Sequence, residues 1–348
     1  MSPSSTAPST ATHQPADRRG RRLHDLRISV IDACNFRCTY CMPIDQFPAS
    51  YKFLDAKSRL SYADILRVAR TFAELGVRRL RITGGEPLLR KGVAGLIGKL
   101  KTIDGIDEVA LTTNGALLGS HAEKLKEAGL DRITVSLDSL DPAVFLQMNG
   151  GRLSVERVLD GIAAAEKAGF DAMKINAVVQ KGVNDHQMVD MAEHFRGTGH
   201  VLRFIEFMDV GNCNHWNNDK VLPSALLKER IAERWALRPV APRFRGEVAS
   251  RYAFEDGAGE IGFISSVSQP FCGDCHRARV SADGKLYTCL FTNHGTDLNP
   301  SLQAGDEQLR SLVHSVWSAR TDRYSEQRAS GTPREIPLKK VEMFRMGG

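Results

Sequence analysis

The chain has 348 residues, 42% of them hydrophobic and 25% charged, the balance of a globular protein with material for a sizeable core. No apolar run approaches the ~18 residues that a membrane-spanning helix needs, so no membrane partner is expected. The net charge is +6, but Arg18, Arg19, Arg21 and Arg22 against Asp17 place +3 in the first 22 residues, leaving 6 − 3 = +3 elsewhere; that is too mild for a nucleic-acid binder and suits a locally basic pocket for an anion.

Residues 1–22, rich in Ser, Thr, Ala, Pro and Arg and without an apolar h-region, read as a disordered tail and not as a secretory signal. From Leu26 to Met208, apolar strand-like runs at 27–32, 77–83, 108–113, 132–138, 174–180 and 201–208 alternate with amphipathic helical patterns at 62–75, 92–101, 117–128, 153–168 and 185–195. Repeated β-then-α units imply a parallel sheet with right-handed crossovers. A complete eight-fold barrel takes roughly 250 residues. The shorter segment 23–221 therefore predicts an α/β fold, an incomplete (βα)6 TIM-type barrel, whose opening needs a cover. The cover is expected from 222–348. There a helical pattern at 223–235 gives way to short strands at 251–254, 261–264, 278–281 and 286–288, an α+β extension with a hairpin at Asp283-Gly284.

Six of the seven cysteines fall in two clustered triplets, a plan that suits metal binding better than a disulfide framework and implies a reducing compartment, by default the cytoplasm. Cys34, Cys38 and Cys41 follow the first strand with C-x3-C-x2-C spacing and no fourth cysteine nearby. On a four-iron cubane three thiolates leave one iron open, and open positions are where substrate chemistry occurs. A zinc knuckle short of one ligand is the alternative. Cys272, Cys275 and Cys289 make C-x2-C-x13-C around the hairpin, either a zinc site completed by His276 or His294 or a second cubane. Cys213 belongs to neither triplet and reads as a structural or free thiol.

Other strand ends point to the same crevice. Thr83-Gly84-Gly85-Glu86-Pro87 would let backbone approach a ligand closely, because no Cβ intrudes. Thr112-Thr113-Asn114-Gly115 and Ser136-Leu137-Asp138-Ser139 end two further strands, where Ser136 and Asp138 could equally cap the next element. In His276-Arg277-Ala278-Arg279, strand alternation would put both arginines on one face. With Arg27, Arg79, Arg81, Lys174 and Arg203 in otherwise apolar strands, they form a basic lining fit for a polyphosphate.

The first cysteine loop, with Tyr40 in the aromatic slot before Cys41, resembles the signature of radical S-adenosylmethionine (SAM) enzymes. The resemblance implies a [4Fe-4S] cluster on Cys34, Cys38 and Cys41, with SAM chelating the open iron and contacted by Tyr40, Gly85, Ser136 and Met208. With the second triplet, Arg277-Ala278-Arg279, the Leu202–Met208 run and the terminal Gly347-Gly348, the chain from about Leu23 onward resembles the GTP 3′,8-cyclase family of molybdenum cofactor biosynthesis. That resemblance implies two [4Fe-4S] clusters, the second on Cys272, Cys275 and Cys289 and facing the guanine. Arg27, Arg81, Thr112, Lys174, Arg203, Arg277 and Arg279 would bind GTP, with Arg277 and Arg279 also the candidate catalytic residues. The Gly-Gly tail would reach the active site. The implied reaction removes the ribose 3′ hydrogen with a 5′-deoxyadenosyl radical and closes the sugar onto C8 of the purine. Implied partners are GTP, SAM, an electron donor such as a flavodoxin or ferredoxin, and a downstream cyclic pyranopterin monophosphate synthase; a homodimer is left open. The rivals are a radical SAM maturase with an auxiliary cluster acting on a peptide, and a zinc-stabilised binding module.

Overall fold

The computed structural model describes residues 14–330 and 339–347. Six parallel strands form its centre: β1 (Asp25–Ser29), β2 (Arg79–Thr83), β3 (Glu108–Thr113), β4 (Arg132–Ser136), β5 (Lys174–Val179) and β6 (Val201–Glu206). The connections carry helices at Tyr62–Glu74, Val93–Lys101, Ala122–Glu127, Pro142–Met148, Val155–Lys167 and Met188–Phe195. The first of these shows the local logic. Ser61 caps it by accepting from the Asp64 amide at 3.1 Å, and Ile65, Val68, Ala69 and Phe72 make its buried stripe.

Alternation along the strands sets which face does what. Leu26, Ile28, Leu80, Ile82, Val109, Leu111, Ile133, Val135, Ile175 and Phe204 point to the helices and share one buried core. The alternate positions Arg27, Arg81, Thr112, Thr134, Lys174, Asn176 and Arg203 point inward to a cavity. A partial barrel with a polar interior and an apolar jacket results.

The C-terminal segment adds β7 (Leu237–Val240), β8 (Ser250–Phe254), β9 (Glu260–Ile264), β10 (Arg277–Val280), β11 (Lys285–Tyr287) and β12 (Thr296–Asp297). The sheet order is β12-β11-β10-β1-β2-β3-β4-β5-β6-β9-β8-β7, with β10 parallel to β1 and β9 parallel to β6. The expected cover is thus also an extension of both sheet edges, and one twelve-stranded sheet runs through both segments. The 283–284 turn joins antiparallel β10 and β11 as expected.

The disordered tail expected over 1–22 is corrected for its described part. Residues 14–22 are packed: Ala16 bridges Arg22, and Asp17 and Arg21 form a 2.6 Å ion pair with side chains 0% and 2% exposed. Composition counted the arginines as solvated, whereas the carboxylate four residues before Arg21 lets that charge go inside. Residues 1–13 lie outside the described part. Helices at Pro142–Met148, Asn299–Ala304, Asp306–Ser318 and Tyr324–Ala329 are further elements that periodicity did not single out.

Candidate active site

The polar inner face encloses a cavity of about 360 Å³. Every candidate residue lines it: the six clustered cysteines, Tyr40, Gly85, Ser136, Met208, and the basic and hydroxyl group Arg27, Arg81, Thr112, Lys174, Arg203, Arg277 and Arg279. Strand direction sorts them. Cys34, Cys38 and Cys41 follow the carboxyl end of β1, whereas Cys272 and Cys275 precede the start of its parallel neighbour β10. The β10–β11 hairpin returns Cys289 to that same end. The triplets therefore sit at opposite ends of the barrel, separated by about 16 Å for a five-residue strand. The crevice extends past the carboxyl ends of the strands, where ligands were expected, to their amino ends, where the cations gather.

At the first end, the amides of Gly85 and Glu86 donate to the carbonyls of Ile31 (2.7 Å) and Ala33 (2.9 Å). A Cβ on Gly84 or Gly85 would collide with those same carbonyl oxygens. The glycine pair is thus needed for backbone to lie flat on the segment leading into Cys34, a structural demand the sequence reading had assigned to a ligand. Glu86 also turns away from the cavity. It is fully buried and accepts from Thr113 Oγ1 (2.7 Å), the Asn114 amide (2.8 Å) and the Leu88 amide (3.0 Å). Burial raises its carboxyl to about 7 against the pull of those donors.

Asn114, so placed, donates to Asn35 Oδ1 at 2.8 Å and lies 3.8 Å from Cys34 Sγ. The Tyr40 hydroxyl donates to Asp138 Oδ2 at 2.8 Å, and Asp138 Oδ1 accepts from the Val178 amide at 2.8 Å. Asp138 therefore pins the aromatic residue to β5, a role beyond the cap weighed for it. Arg37 occupies its guanidinium on the carbonyls of Cys34 (2.8 Å), Phe36 (2.8 Å) and Phe47 (2.9 Å). Helix Pro142–Met148 braces the loop from behind, where Met148 O accepts from the Thr39 amide at 3.0 Å. Burial, with Glu86 adding, pushes the Cys34 thiol up to about 12; burial likewise raises Cys38 and Cys41. These sulfurs want a cation before they ionise, and a metal cluster supplies one.

The second end is different. Cys275 Sγ accepts from Arg277 Nη2 and from Arg320 Nη2, each at 3.4 Å. Burial opposes ionisation, yet the two guanidiniums bring this thiol down to about 6. His276 lines the cavity beside Asp25, at 3.6 Å, and His294 bonds Asn293 on the surface. Three thiolates at each end, with the cavity beyond them, are the donor set of a cubane that keeps one iron open, since its thiolates bind separate irons.

Between the ends lies the cationic lining. Register sets Arg27 beside both Arg81 and Arg279. Two neighbouring arginines have carboxylates of their own: Arg79 pairs with Asp25 at 2.7 Å, and Arg132 with Glu108. The others do not. Arg81 donates to Thr112 (3.2 Å) and Thr134 (3.1 Å), and Arg203 to Asn176 (2.9 Å), all neutral acceptors. Burial, then the neighbouring guanidiniums of Arg203, Arg132 and Arg81, lower the Lys174 ammonium to about 6. Burial and Arg81 bring Arg203 down to about 9; burial and Arg277 bring Arg279 to about 10. Buried cations that repel one another call for a polyanion.

Residues 339–347 close the first end. Phe344, 2% exposed, meets Phe47 edge-on with centroids 5.1 Å apart, and Arg345 reaches the Tyr51 hydroxyl at 3.0 Å. Gly347 has φ 72°, packs where a Cβ would strike Thr83, and its carbonyl accepts from Arg279. Gly348, the other half of the double glycine, lies outside the described residues. Cys213 lies 3.5 Å from Glu342 and off the cavity wall. The sequence reading missed Asn114, Arg37, Phe344 and Arg320 as site-builders. Asn114 was legible in the Thr-Thr-Asn-Gly strand end; Arg320 was not, because the local Asp322 and Trp317 read as an ordinary helix end and its contacts to Cys275 and Asp17 lie 45 and about 300 positions away.

Residues 28–195 match the Radical SAM superfamily and residues 200–326 match Molybdenum Cofactor Synthesis C. A GTP 3′,8-cyclase of Xanthomonas campestris pv. campestris (strain B100) is 59% identical over 95% of this chain and 97% of its own. One from Acidothermus cellulolyticus is 47% identical over 90% of this chain and 88% of its own. Among solved structures, Streptococcus suis SuiB bound to S-adenosylmethionine superposes with a TM-score of 0.63 at 16% identity, covering 94% of this chain and 72% of that one, a likeness of fold.

Proposed function

The chain belongs to the GTP 3′,8-cyclase family of radical SAM enzymes, and we propose that this cavity binds SAM at one end and GTP at the other. The reaction is the radical cyclisation of GTP to 3′,8-cyclo-7,8-dihydro-GTP, an early step of molybdenum cofactor biosynthesis, and uses two [4Fe-4S] clusters and SAM. That family membership removes the zinc module and the peptide maturase as rivals.

The residue roles are our reading. Cys34, Cys38 and Cys41 hold one cluster; Cys272, Cys275 and Cys289 hold the other. When bound, the first cluster and SAM supply the 5′-deoxyadenosyl radical. The protein does the rest by orientation and electrostatics. Tyr40, fixed by Asp138, covers the SAM end with Gly85, Ser136 and Met208 around it. Arg27, Arg81, Lys174 and Arg203 neutralise the triphosphate, and Thr112 shares their layer. Arg277 and Arg279, on one face of β10, orient the nucleotide between the two ends, so that ribose C3′ faces the radical and the base faces the second triplet. Gly347 enters beside Arg279 because it has no side chain. The observation that carries the assignment is the placement of the unpaired cations between two cysteine triplets at opposite strand ends.

All seven cysteines are unpaired and no helix of the described residues is long and apolar enough to cross a membrane. Oxygen-labile thiolate ligation favours the cytoplasm, with a flavodoxin or ferredoxin as donor and a cyclic pyranopterin monophosphate synthase taking the product. The test is anaerobic: protein reconstituted with iron and sulfide, given SAM, GTP and dithionite, with 5′-deoxyadenosine and cyclised GTP read by mass spectrometry. Both products are expected. Deoxyadenosine without any GTP-derived product, from protein carrying both clusters, would overturn the placement of GTP.

A further inference from the structure

The packed N-terminal segment has a partner that the family reading leaves unexplained. Asp17, Arg21 and Arg320 form a buried ionic knot with side chains no more than 2% exposed. Arg21 Nε meets Asp17 Oδ2 at 2.6 Å, and Arg320 Nη1 lies 3.7 Å from the same oxygen. Each arginine then reaches the second cysteine loop. Arg21 Nη1 donates to the Cys272 carbonyl at 2.8 Å; Arg320 Nη1 donates to the Cys275 carbonyl at 2.7 Å, and its Nη2 to Cys275 Sγ at 3.4 Å. Asp322 adds a 3.1 Å contact to Arg320 Nε, and its carbonyl accepts from Arg21 Nη1 at 2.8 Å. Trp317 closes the knot: its indole N–H donates to the Arg21 carbonyl at 3.0 Å, and the Arg320 guanidinium lies over its ring at 4.7 Å.

Burying two guanidiniums and one carboxylate is costly unless the charges pair and the donors are used; here, among the described residues, Arg21 Nη2 alone of the two guanidiniums' nitrogens is buried without a partner. Here the donors converge on one loop from chain positions 17–21 and 320–322, and one of them ends on a ligand sulfur. Hydrogen bonds and positive charge at a cluster sulfur stabilise the more reduced, more negative state and so raise its potential.

We propose that Arg320, oriented by Asp17 and Arg21, is a positioning residue of the second cluster: it holds Cys275 in place and raises that cluster's reduction potential. The N-terminal segment is therefore a built part of the second metal centre, and not a tail. Arg277 also touches Cys275, from β10; Arg320 lines the same cavity but reaches the sulfur from the turn after helix Asp306–Ser318, where Asp17 and Asp322 hold it.

The inference rests on the assignment of the second cluster to Cys272, Cys275 and Cys289, and the experiment separates the two. In full-length protein with Cys34, Cys38 and Cys41 changed to Ala, only the second cluster assembles; a further Cys272→Ala that leaves the iron content unchanged would sink the assignment itself. In the same triple-Ala background, R320Q is expected to keep its iron and sulfide while the EPR-monitored midpoint moves to more negative potential. R320K, which retains charge but not the paired donors, should fall between, and D17N, which deletes a carboxylate and leaves both guanidiniums, should move the midpoint the other way, towards positive potential. A midpoint identical to the parent in R320Q, R320K and D17N would overturn the proposal. If R320Q fails to assemble, R320K and D17N decide. In the holoenzyme the first cluster's SAM-dependent EPR signal should be unchanged in all three; its joint loss with the second cluster would show a general folding role and also overturn it.

Discussion

Around Cys34, Cys38 and Cys41 the carboxylates of Glu86, Asp138 and Glu342 all raise those thiols, against one guanidinium, Arg37, that lowers Cys34. At the second end the guanidiniums of Arg277 and Arg320 prevail at Cys275, while Asp322 raises Cys289. The first loop is held by backbone contacts to helix Pro142–Met148 and the turn after β2, by the Asn114 amide and by its own Arg37; the second hangs from a buried ionic knot. One chain thus offers a cluster environment that disfavours added negative charge at one end and one that welcomes it at the other. Negative surroundings make a cluster a stronger reductant, which the cleavage of a sulfonium demands. Positive surroundings suit a cluster next to a nucleotide that arrives with a triphosphate.

The comparison can be broken from either end. The largest effect is expected in Arg279→Ala, which removes a buried charge-assisted donor worth about 3 kcal/mol, roughly 150-fold in kcat/KM for GTP. Deoxyadenosine formation without GTP should persist; equal loss of both would mean that the two ends are not separable. Next is Phe344→Ala at the first end. Emptying its place against Phe47 should cost about 2 kcal/mol, a roughly 30-fold shift towards an open tail, read as faster proteolysis or hydrogen exchange in 339–347.

Lys174 gives a pH signature between the ends. Its ammonium titrates near 6 in the free protein, and a triphosphate returns it towards its ordinary value of 10.5. GTP binding should therefore take up a proton. That uptake vanishes below about pH 6, where Lys174 is already charged, and approaches one proton above it, while GTP affinity is full below about pH 6 and falls by up to about tenfold per pH unit above it. For stability the same shift has the opposite consequence: a lysine whose folded value is depressed makes the ligand-free fold gain stability as pH rises from about 6 towards 10.5. Calorimetry in buffers of different ionisation enthalpy checks the proton count, and Lys174→Met should abolish it. The smallest effect is Tyr40→Phe, which loses the hydrogen bond to Asp138, about 1 kcal/mol or roughly fivefold in SAM affinity.

Much of this was legible because period and spacing carry it. The six parallel strands follow from alternation, and the cysteine triplets and inward arginines lie on strands or adjoining turns whose facing the period fixes. What was not legible depends on partners far away in the chain. Arg21 and Asp17 looked like part of a solvated basic tail because their carbonyl and guanidinium partners sit at 272–275 and 320–322. The Gly84-Gly85 pair was singled out for a ligand; the pair lines the cavity, and the approach that demands it is also that of the backbone of residues 31–33. Helix Pro142–Met148 did carry a local signal, Asp141 capping the amides of Ala143 and Val144 before a proline start, but it is too short to show a period.

The central claim is that the two cysteine triplets do different work, and one pair of variants tests it most directly. Reconstituted Cys34→Ala and Cys272→Ala proteins would be compared under SAM, GTP and dithionite. The account predicts that Cys34→Ala makes neither 5′-deoxyadenosine nor cyclised GTP, while Cys272→Ala still makes deoxyadenosine and no cyclised product. Cyclised GTP from Cys34→Ala, or equal loss of deoxyadenosine in both variants with the first cluster intact in Cys272→Ala, would contradict it.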